Sequence, residues 1–277
     1  MLQIGEYHTL HVVRDTPPGL YLSNSDGDEV LLPHKYKPAD FAIGDALKVF
    51  VYLDNEERPI ATTLIPALTK NTFGYLRCAA VTAVGAFLDW GLEKQLFVPF
   101  GEQATKMKEG YWYVVYLFED PKTERLLASS KLNKFLSAHD GSLKMFDEVS
   151  ILITHITEAG ANAIVEGKYP GLIYKTDIFE DIRPGDVLPA YIKKIRKDQK
   201  IDLVLQPPGY RSIAPNAAYV LEELKAAGGF LELHDNSTPE AIKNRLGLSK
   251  KSFKKAIGFL YKQKEITIAT NGISLKK

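Results

Sequence analysis

Glycine recurs in this chain at a spacing that few folds can use. Gly19, Gly85 and Gly160 are each followed 25 residues later by a second glycine, Gly44, Gly110 and Gly185, while the interval between pairs varies from 66 to 75 residues. A fixed spacing inside units of variable length marks tandem copies of one small fold. The text around the second glycine agrees: Phe41-Ala42-Ile43-Gly44-Asp45, Met107-Lys108-Glu109-Gly110 and Ile182-Arg183-Pro184-Gly185-Asp186, each running into an apolar strand at 47–53, 111–118 and 187–195. A third landmark falls in register. Fourteen residues after the first glycine stand Pro33, Pro99 and Tyr174, each behind an apolar pair, Leu31-Leu32, Phe97-Val98 and Leu172-Ile173.

Within each unit, short runs of β-branched and aromatic residues alternate with turn signals such as Asp26-Gly27 and Tyr169-Pro170-Gly171. That texture predicts about five strands in roughly 65 residues. Five short strands that close on themselves make an OB-type barrel. A unit this small buries little surface alone, so neighbouring units are expected to pack together.

After Leu205-Gln206-Pro207-Pro208-Gly209 the periodicity turns helical, and the prolines mark a boundary. Ala217, Val220, Leu221 and Leu224 share one helix face, and Gly228-Gly229 stops that helix. A strand is expected at 230–233. Thr238 reads as an N-cap, with Pro239 at the first helical position and Glu240 in the first turn of a helix ending near Leu246. After the turn Gly247-Leu248-Ser249, a helix over 250–262 puts Phe253, Ala256, Ile257 and Leu260 on one side and Lys251, Lys254, Lys255 and Lys262 on the other. Two helices across a short glycine turn form a helix-turn-helix. The final strands, 266–269 and 273–275, flank Asn271-Gly272, expected to supply positive φ for a type I′ hairpin, the wing. The fold class expected is therefore mainly β with a C-terminal α+β domain: three tandem OB barrels over 1–66, 67–143 and 144–209, then a winged helix over 210–277.

Charge is divided unevenly along this plan. The chain carries +1 overall, but residues 1–192 hold 18 Lys and Arg against 26 Asp and Glu, a balance of −8, and residues 193–277 hold 17 against 8, a balance of +9. Such asymmetry points to a polyanion at the C-terminal end. The run from Lys193 to Lys200 packs Lys193, Lys194, Arg196, Lys197 and Lys200 around one aspartate. Single strands are held by bases stacking on rings and by lysines and arginines on phosphates.

The string Gly85-Ala86-Phe87-Leu88-Asp89 followed by Leu96-Phe97-Val98 resembles the S1 RNA-binding domain. Gly85 to Phe100, with Tyr75-Leu76 before it and Arg125-Leu126-Leu127-Ala128-Ser129 after it, resembles the conserved virulence factor B family of bacterial RNA-binding regulators, three S1 barrels and a C-terminal winged helix. That resemblance spans essentially the whole chain. It implies a ring position two residues after the first glycine, here Tyr21, Phe87 and Asn162, and a second contact position at Pro33, Pro99 and Tyr174. No repeat keeps both in their usual form. Repeat three loses the first ring but offers Tyr174 and Tyr169 beside the basic run. The expected RNA contacts are thus Tyr174, Tyr169, Lys193, Lys194, Arg196, Lys197, Lys200, Lys251, Lys254 and Lys255, with Tyr21 and Phe87 as further rings that serve the barrel interior equally well. Repeats one and two are expected to brace the assembly or meet a protein partner. Removing residues 1–140 is then expected to leave much of the RNA affinity in place.

Other classes find less in the residues. His8 and His11 fall on opposite faces of a strand, the remaining histidines have no ligand spacing, and Asn24 to Glu29 lacks the twelfth-position carboxylate of a calcium loop. No phosphate loop, Gly-x-Ser-x-Gly or carboxylate pair is present, so no enzyme and no cofactor is expected. Cys78 is the single cysteine, which rules out an internal disulfide and fits a reducing compartment. No apolar run is long enough to span a membrane and the first residues do not read as a secretory signal, so the expected location is the cytoplasm. The alternatives are a winged-helix regulator reading duplex DNA and a protein-interaction module with degenerate barrels.

Overall fold

A computed structural model describes residues 2–178, 181–206 and 214–276. The first barrel is built from β1 (Glu6–Thr16), β2 (Gly19–Ser23), β3 (Glu29–Pro33), β4 (Ala46–Leu53) and β5 (Pro59–Thr62). The second comprises β6 (Phe73–Val81), β7 (Gly85–Asp89), β8 (Leu96–Pro99), β9 (Trp112–Glu119) and β10 (Leu126–Ser129). The third comprises β11 (Glu148–Thr157), β12 (Gly160–Val165), β13 (Tyr169–Tyr174), β14 (Val187–Ile195) and β15 (Ile201–Val204). All three are closed, with the third and fifth strands pairing in parallel.

The spaced glycines have two separate tasks. Gly19, Gly85 and Gly160 open the second strand opposite Pro33, Pro99 and Tyr174, so the 14-residue landmark is a cross-strand pair. Their φ angles are +148°, +157° and +143°, and a Cβ there would lie 2.1, 2.4 and 2.0 Å from the carbonyl oxygens of Leu32, Val98 and Ile173. Only a residue without a side chain lets the two backbones come that close. Gly44, Gly110 and Gly185 pin the first strand where it is bulged, at Val12/Arg14, Cys78/Ala80 and Ile153/His155. Each donates its N–H to the carbonyl of Val12, Cys78 or Ile153 at 2.7–2.8 Å from left-handed φ of +83° to +96°. The bulge bends a long strand so that it pairs with two neighbours and the barrel shuts.

Barrels one and two share one core. Phe50 and Tyr52 of β4 pack with Trp90, Leu92 and Leu68, and the Trp90 ring meets Phe50 edge-on at 5.8 Å and Tyr52 at 6.4 Å. The Lys70 ammonium bridges Glu6 and Glu119 across the same junction. Barrel three has its own core. The segment 137–143 wraps it: Ser137 N–H donates to the Lys168 carbonyl, Leu143 packs on the core and Asp140 pairs with Lys168 at 2.7 Å.

The C-terminal unit consists of α1 (Ala214–Ala226), β16 (Phe230–Leu231), α2 (Pro239–Leu246), α3 (Lys250–Lys262), β17 (Ile266–Ala269) and β18 (Gly272–Leu275), with sheet order β16-β18-β17. The expected helix faces are the buried ones, and Thr238 and Ser249 cap α2 and α3 by accepting from Ala241 and Ser252 N–H. One turn differs from expectation. The wing loop is Thr270-Asn271, neither with positive φ, and Gly272 is the first residue of β18, where a Cβ would lie 2.2 Å from the Leu231 carbonyl. It repeats the barrel device of close backbone approach rather than forming a type I′ turn. The boundary expected at Pro207-Pro208-Gly209 lies outside the described residues.

Candidate nucleic-acid interface

The rings expected to stack bases divide by environment. Tyr169 is 3% exposed, part of the third core, its hydroxyl 3.2 Å from the Ser142 hydroxyl and its ring against His139. It has no face for a base, because the 137–143 segment covers it; expectation and structure part here. Tyr174 is half-buried and accepts a hydrogen bond from the Arg196 guanidinium at 2.8 Å. Tyr21 is covered by the Arg14 guanidinium, 4.1 Å from the ring centroid and held there by two hydrogen bonds to Glu29. Phe87 packs against Phe97 with ring centroids 5.0 Å apart and planes tilted by 32°, in a cleft of about 460 Å³ between barrels one and two. The cations of that cleft, Lys94 and Arg125, both pair with Glu57.

The basic run at the end of barrel three is partly neutralised from within. Lys193 pairs with Asp177 at 2.7 Å, Lys200 with Asp198 at 3.5 Å, and Arg196 donates to Asp202 at 2.8 Å. That bond to a buried carboxylate is the first cause of a raised Arg196 pKa. Lys194 and Lys197 are exposed and have no ion-pair partner among the described residues. The same holds for Lys251, Lys254 and Lys255, which project from the outer face of α3. Their positive potential is therefore available to an incoming anion, whereas a paired lysine must first give up its carboxylate.

A second cleft, of about 780 Å³, lies between barrels two and three. Tyr75 of β6 and Trp112 of β9 stand on one wall with ring centroids 5.3 Å apart, Trp112 being 52% exposed. The facing wall carries Asn162, whose amide nitrogen is 3.2 Å from the His155 imidazole, and the connecting segment adds Lys131, exposed and without an ion pair among the described residues. Sequence reading missed this cleft. Its two rings alternate with core positions along ordinary strands, and one trace of the docking is Gly185, where a Cβ would lie 2.1 Å from the Tyr75 ring.

Two family models match the chain: the S1 domain over residues 4–64 and the CvfB-like winged helix domain over 218–275. Conserved virulence factor B of Staphylococcus aureus strain USA300 is 27% identical over 99% of the chain and 94% of its own length. The chain is thus similar over nearly its whole length to conserved virulence factor B proteins. Another relative is uncharacterized protein YitL of Bacillus subtilis, 24% identical over 95% of the chain and 90% of its own length. A solved structure described as a multidomain protein with nucleic acid binding domains, from Streptococcus pneumoniae, aligns over 99% of the chain and 98% of its own at 24% identity and TM-score 0.43. The matched S1 and winged-helix domains point to nucleic acid as the class of partner. No described helix is long and apolar enough to cross a membrane, and no group of three or more metal-ligating side chains is gathered among the described residues.

Proposed function

We propose that the chain is a member of the conserved virulence factor B family and a non-catalytic, single-stranded RNA-binding protein of the cytoplasm that regulates gene expression after transcription. The observation that carries the reading is a set of five lysines with no carboxylate partner among the described residues: Lys194 and Lys197 on barrel three, Lys251, Lys254 and Lys255 on α3. Tyr174 of the same barrel is a half-buried ring steadied by Arg196. Three single-strand-type barrels have no evident task on a duplex, and the lysine face of α3 lacks the arginine that reads guanine in the major groove.

Affinity for single-stranded RNA and for duplex DNA, measured at matched salt, tests the reading. Single-stranded RNA is expected to bind tighter, with a log–log salt slope of about −0.7 per phosphate contact, roughly −3.5 if all five lysines engage. Preference for the duplex would transfer the function to DNA, and retention of neither would leave a protein-interaction module.

A further inference from the structure

Barrel three departs from the other two where a stacking ring is wanted: Asn162 stands where Tyr21 and Phe87 stand in the first and second. The tertiary structure returns rings to that place from another barrel. Tyr75 and Trp112 of barrel two line the same cleft as Asn162, and their rings are tilted by only 31°. The docking is tight on one side, because the Tyr75 ring occupies the space a side chain at Gly185 would need, whereas Gly44 has nothing within 4 Å and Gly110 only the tip of Arg77. Gly185 thus serves twice, holding the third barrel's bulge and receiving the second barrel's tyrosine.

We infer that the cleft between barrels two and three is a composite nucleobase site for single-stranded RNA, with Trp112 as the stacking surface and Tyr75 behind it. The inference rests on the RNA reading above and deepens it by naming where a base is held. The chemistry of the lining selects the occupant. A planar, partly exposed indole backed by a second ring offers a π-face to any base, worth about 1–3 kcal/mol per stacked base or roughly 5- to 150-fold in affinity. The Asn162 amide, steadied by the His155 imidazole that Thr154 holds on its other nitrogen, offers its second N–H and its carbonyl oxygen at the opposite wall for a base edge. Lys131, exposed and without an ion pair among the described residues, stands at the connecting segment for the attached phosphate. The volume, about 780 Å³, lies within the range of about 300–1,000 Å³ usual for small-ligand clefts.

The chain supplies its own reporter. It has two tryptophans, and Trp90 is 3% exposed inside the joint core of barrels one and two, so a ligand in the cleft meets Trp112 alone. Titrating the full chain with a mixed-sequence single-stranded RNA oligonucleotide is expected to quench tryptophan emission saturably, at the same midpoint as binding followed by a labelled oligonucleotide. Trp112→Ala is expected to abolish the quenching and weaken binding about tenfold, with an unchanged salt slope since no phosphate contact is lost, while Trp112→Phe keeps most of the affinity. Asn162→Ala gives an independent variant on the facing wall, expected to weaken binding and leave the quenching at saturation. RNA bound without quenching of the wild-type chain would overturn the composite site and leave the RNA reading standing. Absence of RNA binding by the wild-type chain even in dilute buffer would overturn both.

Discussion

Gly160 and Gly27 both adopt positive φ, yet the structure gives them different consequences. A Cβ at Gly27 meets nothing within 4 Å, so Gly27→Ala carries only the conformational penalty of the left-handed region, about 1 kcal/mol. At Gly160 the added carbon would strike the Ile173 carbonyl at 2.0 Å and separate β12 from β13. Gly160→Ala is expected to cost at least about 2 kcal/mol more than Gly27→Ala, read as the loss in denaturant midpoint of the barrel that carries each change. Asp140 yields a pH-dependent prediction at the same scale. The hydrogen bond from Lys168, then those from Ser142 and Tyr169, hold its carboxyl well below the usual range. Its stabilising effect is complete above the ordinary aspartate value of 3.8 and is lost as the pH falls through the lowered folded value. Asp140→Asn should therefore flatten the acid limb of barrel-three stability below about pH 4, as followed by denaturant unfolding across pH, and a slope identical to wild type would refute the assignment.

At the scale of elements, α3 and the end of barrel three look alike in sequence and differ in the folded chain. Both are lysine-rich, and both are adjacent to apolar positions at regular spacing. The α3 lysines face outward because Phe253, Ala256, Ile257 and Leu260 occupy the buried face, and Lys251, Lys254 and Lys255 have no ion pair among the described residues. In the hairpin, by contrast, strand pairing sets Arg196 beside Asp202, and the turn after β13 presents Asp177 to Lys193. Replacing Lys251, Lys254 and Lys255 together by alanine is expected to weaken RNA binding and to reduce the magnitude of the salt slope by about 2, from about 0.7 per contact. Lys193→Ala is expected to change that slope little, and Arg196→Ala to reduce stability by leaving the buried Asp202 carboxylate unpaired. Equal slope losses for the lysine triple and for Lys193→Ala, in salt titrations, would show that the ion pairs do not distinguish the two groups.

For the whole molecule, the joint core of barrels one and two makes them one folding unit. Trp90 touches Phe50 and Tyr52 across the junction and donates its indole N–H to the Lys94 carbonyl at 2.6 Å. Trp90→Ala is expected to cost about 3–5 kcal/mol. Hydrogen exchange should show amides of both barrels losing protection together while those of barrel three keep theirs, and loss confined to barrel two would refute a shared unit. The same geometry bears on truncation. A cut after residue 140 falls within the segment that covers Tyr169 and removes Trp112, so a fragment starting at 137 is the better carrier of barrel three and the winged helix. It should keep the salt slope of the full chain less about 0.7 for the lost Lys131 contact, and bind more weakly by the contribution of the Trp112 stack, compared in parallel titrations.

Local rules settle one part of this protein. The three repeats, their closing into barrels, the capped helices of the winged domain and the outward lysines of α3 all follow from glycine sterics, strand alternation and helical periodicity, which act over a few neighbouring residues and can be read from Gly19 to Gly272 without coordinates. Tertiary structure alone decided that Tyr169 is covered, that Lys193 and Arg196 have carboxylate partners, and that Trp112 faces Asn162 across a cleft. Those facts depend on which surfaces meet when separately closed barrels dock, and a docking contact joins residues such as Tyr75 and Gly185 whose separation along the chain carries no periodic signal.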